Sequence, residues 1–260
     1  MKRRDFLAAT CLAGIGTLSN SDHAVGRGIE RNRQYYELRK YSIKTPDQQK
    51  QVLDFLKAAA IPALNRIGIG QVGVFKMMEG DSSDLYVLLP HESLDSVVTA
   101  SALVAADAEY KKAGASLLNS SEKDTPYQVI ESSLMLAFEG IPRLEQPTKA
   151  DSRIFQLRIY QSHTPLVGVK KIEMFNTGGE LAVFRKTGMA PVFFGQALVG
   201  DKLPNLTYML GFDDMDAKKK AWDAFLVHPE WLKLKANPYY KNTVSHITNI
   251  MLLPAACSQM

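Results

Sequence analysis

Two kinds of apolar pattern alternate along this chain. Residues 35–43, "YYELRKYSI", and 154–160, "IFQLRIY", are rich in aromatic and branched side chains at alternating positions, which predicts strands. Each is followed by Thr-Pro, at 45–46 and 164–165, a good N-cap before a residue suited to the first helical turn. Val52, Phe55, Leu56, Ala59, Ala63 and Ile67 then recur at three-to-four spacing, as in a helix with one buried face. Pro62 should bend or interrupt that helix near Ile61. "IGQVGVFKMM" and "LYVLL" predict strands on either side of the turn "EGDSSD". Residues 93–113 predict a second helical stretch, and "YQVIESSLMLAF" a last strand.

The same order then recurs: a strand over 153–161, a helix from about 166, strands near 189–199 and 206–212, helices over 214–236 and a strand over 242–253. Gly178-Gly179 predict a break in the first of these helices. Tyr36, Leu38, Arg39, Tyr41 and Thr45-Pro46 align with Phe155, Leu157, Arg158, Tyr160 and Thr164-Pro165 at a constant spacing of 119. Gly68 matches Gly188 at 120, and Glu109-Tyr110 matches Glu230-Trp231 at 121. An ordered series of this kind marks a duplication. Strand-helix-strand-strand-helix-strand is the ferredoxin-like arrangement, whose sheet carries helices on one face only. Two copies can cover each other's bare faces. The predicted fold class is therefore α+β, with tandem ferredoxin-like repeats forming a pseudo-dimeric α+β barrel. Its divisions are a leader over 1–33, an N-terminal repeat over 34–138, a linker over 139–152 with two prolines and many charges, and a C-terminal repeat over 153–254.

The leader reads as an export signal. Lys2, Arg3 and Arg4 precede a 13-residue apolar stretch at 6–18, and small residues follow. Arg3, Arg4, Phe6 and Leu7 match the twin-arginine pattern, so the expected location is the periplasm or cell envelope. Thirteen apolar residues are too few to span a ~30 Å hydrocarbon core, and no other segment has the length, so no membrane span is expected in the mature protein. Loss of residues 1–21 takes the net charge from +4 to about +2, too weak a field to argue for nucleic acid. It also removes Cys11 and leaves Cys257, which alone cannot close an intramolecular disulfide.

Candidate chemistry centres on the repeated Leu-Arg-x-Tyr. Alternation puts Tyr36 and Leu38, with Phe155, Leu157 and Ile159, on one face, expected to meet the helices. Glu37, Arg39 and Tyr41, with Gln156, Arg158 and Tyr160, take the other face, expected to line the barrel. Arg39 and Arg158 then have two readings. They bind an anionic or carbonyl-bearing ligand alongside Tyr41 and Tyr160, or they pair with Glu37, Gln156 or backbone carbonyls and seal the sheet-to-sheet interface. The second is favoured, because both copies keep the pattern. The histidines show no metal-ligand spacing. His91 and His163 read as solvated, His228 as a helix cap, and Trp231 as an anchor for its helix on the sheet. His246 is the best candidate for a general base or haem ligand, with a satisfied core histidine as the alternative. No cofactor is predicted, haem being a remote alternative.

"YELRKY", the Thr-Pro helix start, "RIGIGQVGVF" and "AFLVHPEW" at 224–231 together resemble the NIPSNAP family, the second copy more closely than the first. The resemblance implies the dimeric α+β barrel fold. That superfamily includes small monooxygenases, some cofactor-free and some haem-binding, while the NIPSNAP family itself has no settled reaction. His228 stands where a small polar capping residue is expected, and the first copy reads "VAADAEY" in place of the Pro-Glu-Trp phrase. The favoured function is a ligand- or protein-binding module. The alternative is a monooxygenase-like enzyme using the barrel cavity. Whether it is an enzyme, and whether it forms homo-oligomers, stay open.

Overall fold

The computed structural model describes residues 33–260. The signal motif Arg3, Arg4, Phe6 and Leu7 lies outside the described residues. Eight strands run β1 (Tyr35–Ser42), β2 (Gly73–Met77), β3 (Leu85–His91), β4 (Val129–Ala137), β5 (Ile154–Gln161), β6 (Ala190–Val199), β7 (Asn205–Phe212) and β8 (His246–Pro254). They close into one barrel in the order β1-β3-β2-β8-β5-β7-β6-β4. Within each copy the order is that of a ferredoxin-like sheet. The copies join by antiparallel pairing of β2 with β8 and of β4 with β6. Sharing the edges leaves no strand unpaired among the described residues.

The helices lie outside. In copy 1, α1 (Pro46–Phe55) is capped by Thr45, whose Oγ1 accepts from the Gln48 N–H at 3.2 Å. It runs through a π-helical turn at Leu56–Ala60 into α2 (Ile61–Arg66). Pro62 thus deforms the helix rather than ending it, since the wider turn ahead of it makes room for the ring. Next come α3 (Leu94–Ala106), α4 (Ala108–Ala113) and α5 (Ala115–Leu118). Copy 2 has α6 (Pro165–Phe175), α7 (Glu180–Lys186), α8 (Met215–Val227) and α9 (Pro229–Ala236). Gly179, at φ 91°, makes the expected break between α6 and α7. Gly68 and Gly188, at φ 87° and 82°, end the equivalent helices α2 and α7 in a left-handed conformation that suits glycine.

The two faces of β1 and β5 are the reverse of the sequence expectation. Tyr36, Leu38, Phe75, Phe155, Leu157 and Phe193 belong to one cluster drawn from both copies, which fills the barrel lumen. The rings of Tyr36 and Phe193 lie 5.0 Å apart, as do those of Phe75 and Phe155. Two further clusters sit between each half-barrel and its own helices, and these contain Tyr41 and Tyr160. The physical reason is solvation. Inside the apolar lumen a guanidinium would be stripped of water among rings, whereas on the helix side Arg39 is part-exposed beside Glu37 and Arg158 stacks on Trp222. The linker is also more than a tether. Leu144 joins the lumen cluster, as does Met260, and the Glu145 N–H donates to Val192 O at 2.9 Å.

Candidate functional site

In copy 1, Glu37, Arg39 and Tyr41 project from β1 toward the helices, opposite Leu89, Val87 and Leu85 of β3. Arg39 Nε and Nη2 donate to Glu37 Oε1 and Oε2 at 2.7 and 2.8 Å, and Ser132 Oγ donates to Oε1 at 2.8 Å. Burial pushes the Glu37 carboxyl up, but the nearby His91 ring and the hydrogen bonds from Arg39 and Ser132 outweigh it and hold the group at about 2. Burial likewise pushes the Tyr41 phenol up. Beside this pair is a cavity of about 160 Å³, lined by Arg39 and Tyr41 among apolar groups that include Phe55, Leu89 and Ala100. Arg39 and Glu37 neutralise one another, and Arg39 Nη1 donates to no described residue. The cavity thus favours a neutral apolar body with one acceptor over an anion.

Copy 2 repeats the frame and fills it. Trp222 Nε1 donates to Gln156 Oε1 at 2.7 Å, and Gln156 Nε2 donates to Asn249 Oδ1 at 2.6 Å. Arg158 stacks 4.7 Å from the Trp222 ring and 5.2 Å from that of Tyr160. Tyr208 OH donates to Tyr160 OH at 2.9 Å. A buried Lys171–Glu180 ion pair lies at 2.6 Å, and burial pushes the Glu180 carboxyl up despite its partner.

The contrast between the copies is positional. Strand pairing sets Val74 and Val87 opposite one another in copy 1, and Phe194 and Tyr208 opposite one another in copy 2. At the repeat spacings, Leu56, Leu64, Ser101 and Val104 correspond to Phe175, Phe184, Trp222 and Phe225. Phe194 stacks on Tyr208 at 4.5 Å, and Phe184 meets Phe225 at 4.8 Å. Six aromatic side chains in copy 2 therefore answer to six smaller, non-aromatic ones in copy 1. Around Arg39 that difference is the cavity.

Arg39 and Tyr41 thus share one compartment, and Arg158 and Tyr160 share its pseudo-symmetric counterpart. Arg39 pairs with Glu37, whereas Arg158 stacks on Trp222 and Tyr160 and its buried Nε has no hydrogen-bond partner among the described residues. Both lie at the sheet-to-helix interface rather than between the sheets. His246 belongs to neither: it is exposed at the start of β8, not in the core. Near it a second cavity, of about 260 Å³, opens at one barrel mouth. Lys40 and Glu131 flank that mouth 3.6 Å apart. His163 is exposed, and His228 caps α9, its Nδ1 accepting from the Glu230 N–H at 3.3 Å. Trp231 packs against the copy 2 core cluster, its ring 4.5 Å from that of Phe225 of α8.

His91 is the residue that sequence reasoning misplaced. It is fully buried, not solvated, with Nδ1 3.0 Å from Ser96 Oγ and Nε2 3.7 Å from Glu37 Oε2. The signal was available, because His91 shares its strand parity with Val87 and Leu89 in a segment of otherwise apolar residues. Among the described residues no three His, Cys, Asp or Glu side chains are grouped to hold a metal ion. No helix there is long and apolar enough to cross a membrane. Haem does not fit either compartment. His91 is turned to Ser96 and Glu37, His246 is exposed, and the cavity beside Arg39, at about 160 Å³, falls below the ~300 Å³ at which pockets for drug-sized ligands begin.

The tandem barrel places the chain among dimeric α+β barrel proteins. The NIPSNAP family pattern matches residues 36–125 and 155–259, one stretch in each copy, and the chain belongs to that family. Among solved structures, a "putative monooxygenase" from Lactobacillus acidophilus aligns with TM-score 0.54 and 11% identity, over 85% of this chain and 94% of its own. An anthrone oxidase-like protein aligns with TM-score 0.50 and 12% identity, over 87% and 93%. A NIPSNAP-like domain protein from Burkholderia xenovorans is 21% identical over 40% of this chain and 87% of its own, with TM-score 0.35. No curated protein matches.

Proposed function

We propose that this NIPSNAP-family protein is a binding module for a small, largely apolar, carbonyl-bearing molecule held between the sheet and helices of copy 1. The observation that carries this reading is the asymmetry of the duplicated compartment, hollow beside Arg39 and filled with aromatic side chains around Arg158. A cavity forfeits packing energy, so a hollow kept beside a neutralised arginine is best explained by an occupant. The guanidinium supplies the donor and Leu56, Leu64, Leu89 and Val104 the apolar wall. Fluorine NMR with 4-fluoroacetophenone tests it. The wild type should broaden or shift the probe signal, Arg39→Leu should weaken binding about tenfold, the loss of one hydrogen bond to a charged donor, and 4-fluorobenzoate should bind less well. A wild type that leaves the ketone signal unchanged contradicts the reading.

Residues 1–33, with Arg3, Arg4, Phe6 and Leu7, support export by the twin-arginine route. Replacing both arginines by lysine should retain the protein in the cytoplasm, as cell fractionation would show. The barrel shared with proteins described as monooxygenase-like and anthrone oxidase-like supports a second reading, in which the held molecule is oxidised. Dioxygen uptake that depends on added ligand would favour that reading.

A further inference from the structure

Glu37, His91 and Ser96 each stand one step beyond a residue lining the copy 1 cavity. Glu37 is two residues before Arg39 on β1, and His91 is two beyond Leu89 on β3, so strand alternation keeps each on the helix side. Ser96 is one turn before Ala100 on α3. The three therefore lie just beyond the Arg39, Leu89 and Ala100 end of the cavity lining. Ser96 is half-buried and His91 fully buried.

Their contacts form a directed chain. His91 Nδ1 lies 3.0 Å from Ser96 Oγ. Nε2 is buried, has no hydrogen-bond partner among the described residues, and faces Glu37 Oε2 at 3.7 Å. A proton on Nε2 faces the carboxylate, which leaves Nδ1 to accept from the Ser96 hydroxyl. Arg39 and Ser132 fix Glu37 from its other side.

Copy 2 shows that the fold does not need these groups. At the repeat spacings, Glu37, His91 and Ser96 correspond to Gln156, Phe212 and Ala217. The same corner of the same architecture closes there without a base, a nucleophile or a carboxylate. The three groups occur together only in the copy that is also hollow.

We infer that Glu37, His91 and Ser96 form an acyl-transfer relay, with Ser96 as nucleophile toward a small ester whose apolar part lies in the copy 1 cavity. The inference rests on the cavity reading above. Ser96 Oγ attacks the ester carbonyl and its proton passes to His91 Nδ1. The carbon–oxygen bond to the alcohol breaks, and the alcohol leaves with that proton. Water then attacks the acyl-serine and gives its proton to Nδ1. The carboxylic acid departs and Ser96 recovers its hydrogen. Glu37 orients the imidazole and stabilises its protonated form.

Phenylmethylsulfonyl fluoride supplies the test on the folded, full-length protein: the Ser96 Oγ–sulfur bond forms as fluoride leaves. Peptide mapping should find Ser96 modified about 100-fold faster than the exposed Ser120 and Ser121, the scale of general-base assistance. His91→Phe, which copies position 212, should abolish the difference, and Glu37→Gln should reduce it. 4-Nitrophenyl acetate hydrolysis should fall in the same order. The comparison of serines within one wild-type molecule stands even if a variant misfolds. Ser96 reacting no faster than Ser120 and Ser121 overturns the relay. If 4-fluoroacetophenone still binds, the relay alone is wrong; if it does not, the cavity reading falls as well.

Discussion

Glu37 is the residue on which most of the copy 1 chemistry turns, and its position has a consequence for acid stability. Its carboxyl titrates at about 2 in the folded chain against an ordinary 4.5. A depressed carboxyl contributes stability above its ordinary value and loses it as pH falls toward the folded one. Melting temperature should therefore decline between about pH 4.5 and 2 more steeply in the wild type than in Glu37→Gln, which lacks this titration. Equal slopes would show that Glu37 is not held as described. The copy 2 ion pair makes a second residue-scale case. Lys171 and Glu180 answer to Val52 and Ala60 in copy 1, where the same helix packing succeeds without charge. Lys171→Val should cost about 3–5 kcal/mol by stranding a buried carboxylate, lowering the melting temperature by on the order of 10 °C. Adding Glu180→Ala should recover most of that loss in a thermal melt, and failure to recover would mean the pair itself holds the copy together.

Strands and helices were largely legible from periodicity, because each needs only a local pattern. Thr45 and Thr164 as caps, Gly179 as a break, and Gly68 and Gly188 as helix ends follow from local backbone chemistry. What the periodicity could not settle was which face of β1 and β5 meets the helices. Alternation separates two sets without saying where each goes, and a one-residue change of facing exchanges them. Tyr36 and Leu38 go to the lumen because both copies offer apolar rings there, whereas Arg39 lies on the other face with Glu37 of its own strand, and Arg158 with Trp222 of α8. The hollow in copy 1 was equally hidden. It depends on Val74, Val87 and Ser101 being small where Phe194, Tyr208 and Trp222 are large, a comparison that requires the strand register. His91 went unrecognised for the same reason, since its partners Ser96 and Glu37 meet only when β1, β3 and α3 are assembled.

The whole molecule is a dimer made within one chain, and each copy's lumen face is complementary to the other's. A fragment of residues 153–260 would expose Phe155, Leu157, Phe193, Met209 and Leu252, together with the free edges of β6 and β8. It should form dimers or aggregates in sedimentation or size-exclusion measurements, because apolar faces and open edges both drive association. A soluble monomer would contradict the packing described here. Duplication also lets the copies diverge: copy 2 keeps a filled, aromatic-rich interior, while copy 1 keeps a cavity and the groups around it. The most direct test of this division is fluorine NMR of 4-fluoroacetophenone with Ser101→Trp, which installs in copy 1 the residue that fills copy 2, alongside Trp222→Phe as the copy 2 control. Loss of binding in Ser101→Trp with binding kept in Trp222→Phe is the result expected. Binding retained in Ser101→Trp and lost in Trp222→Phe would place the ligand in the wrong copy and refute the account.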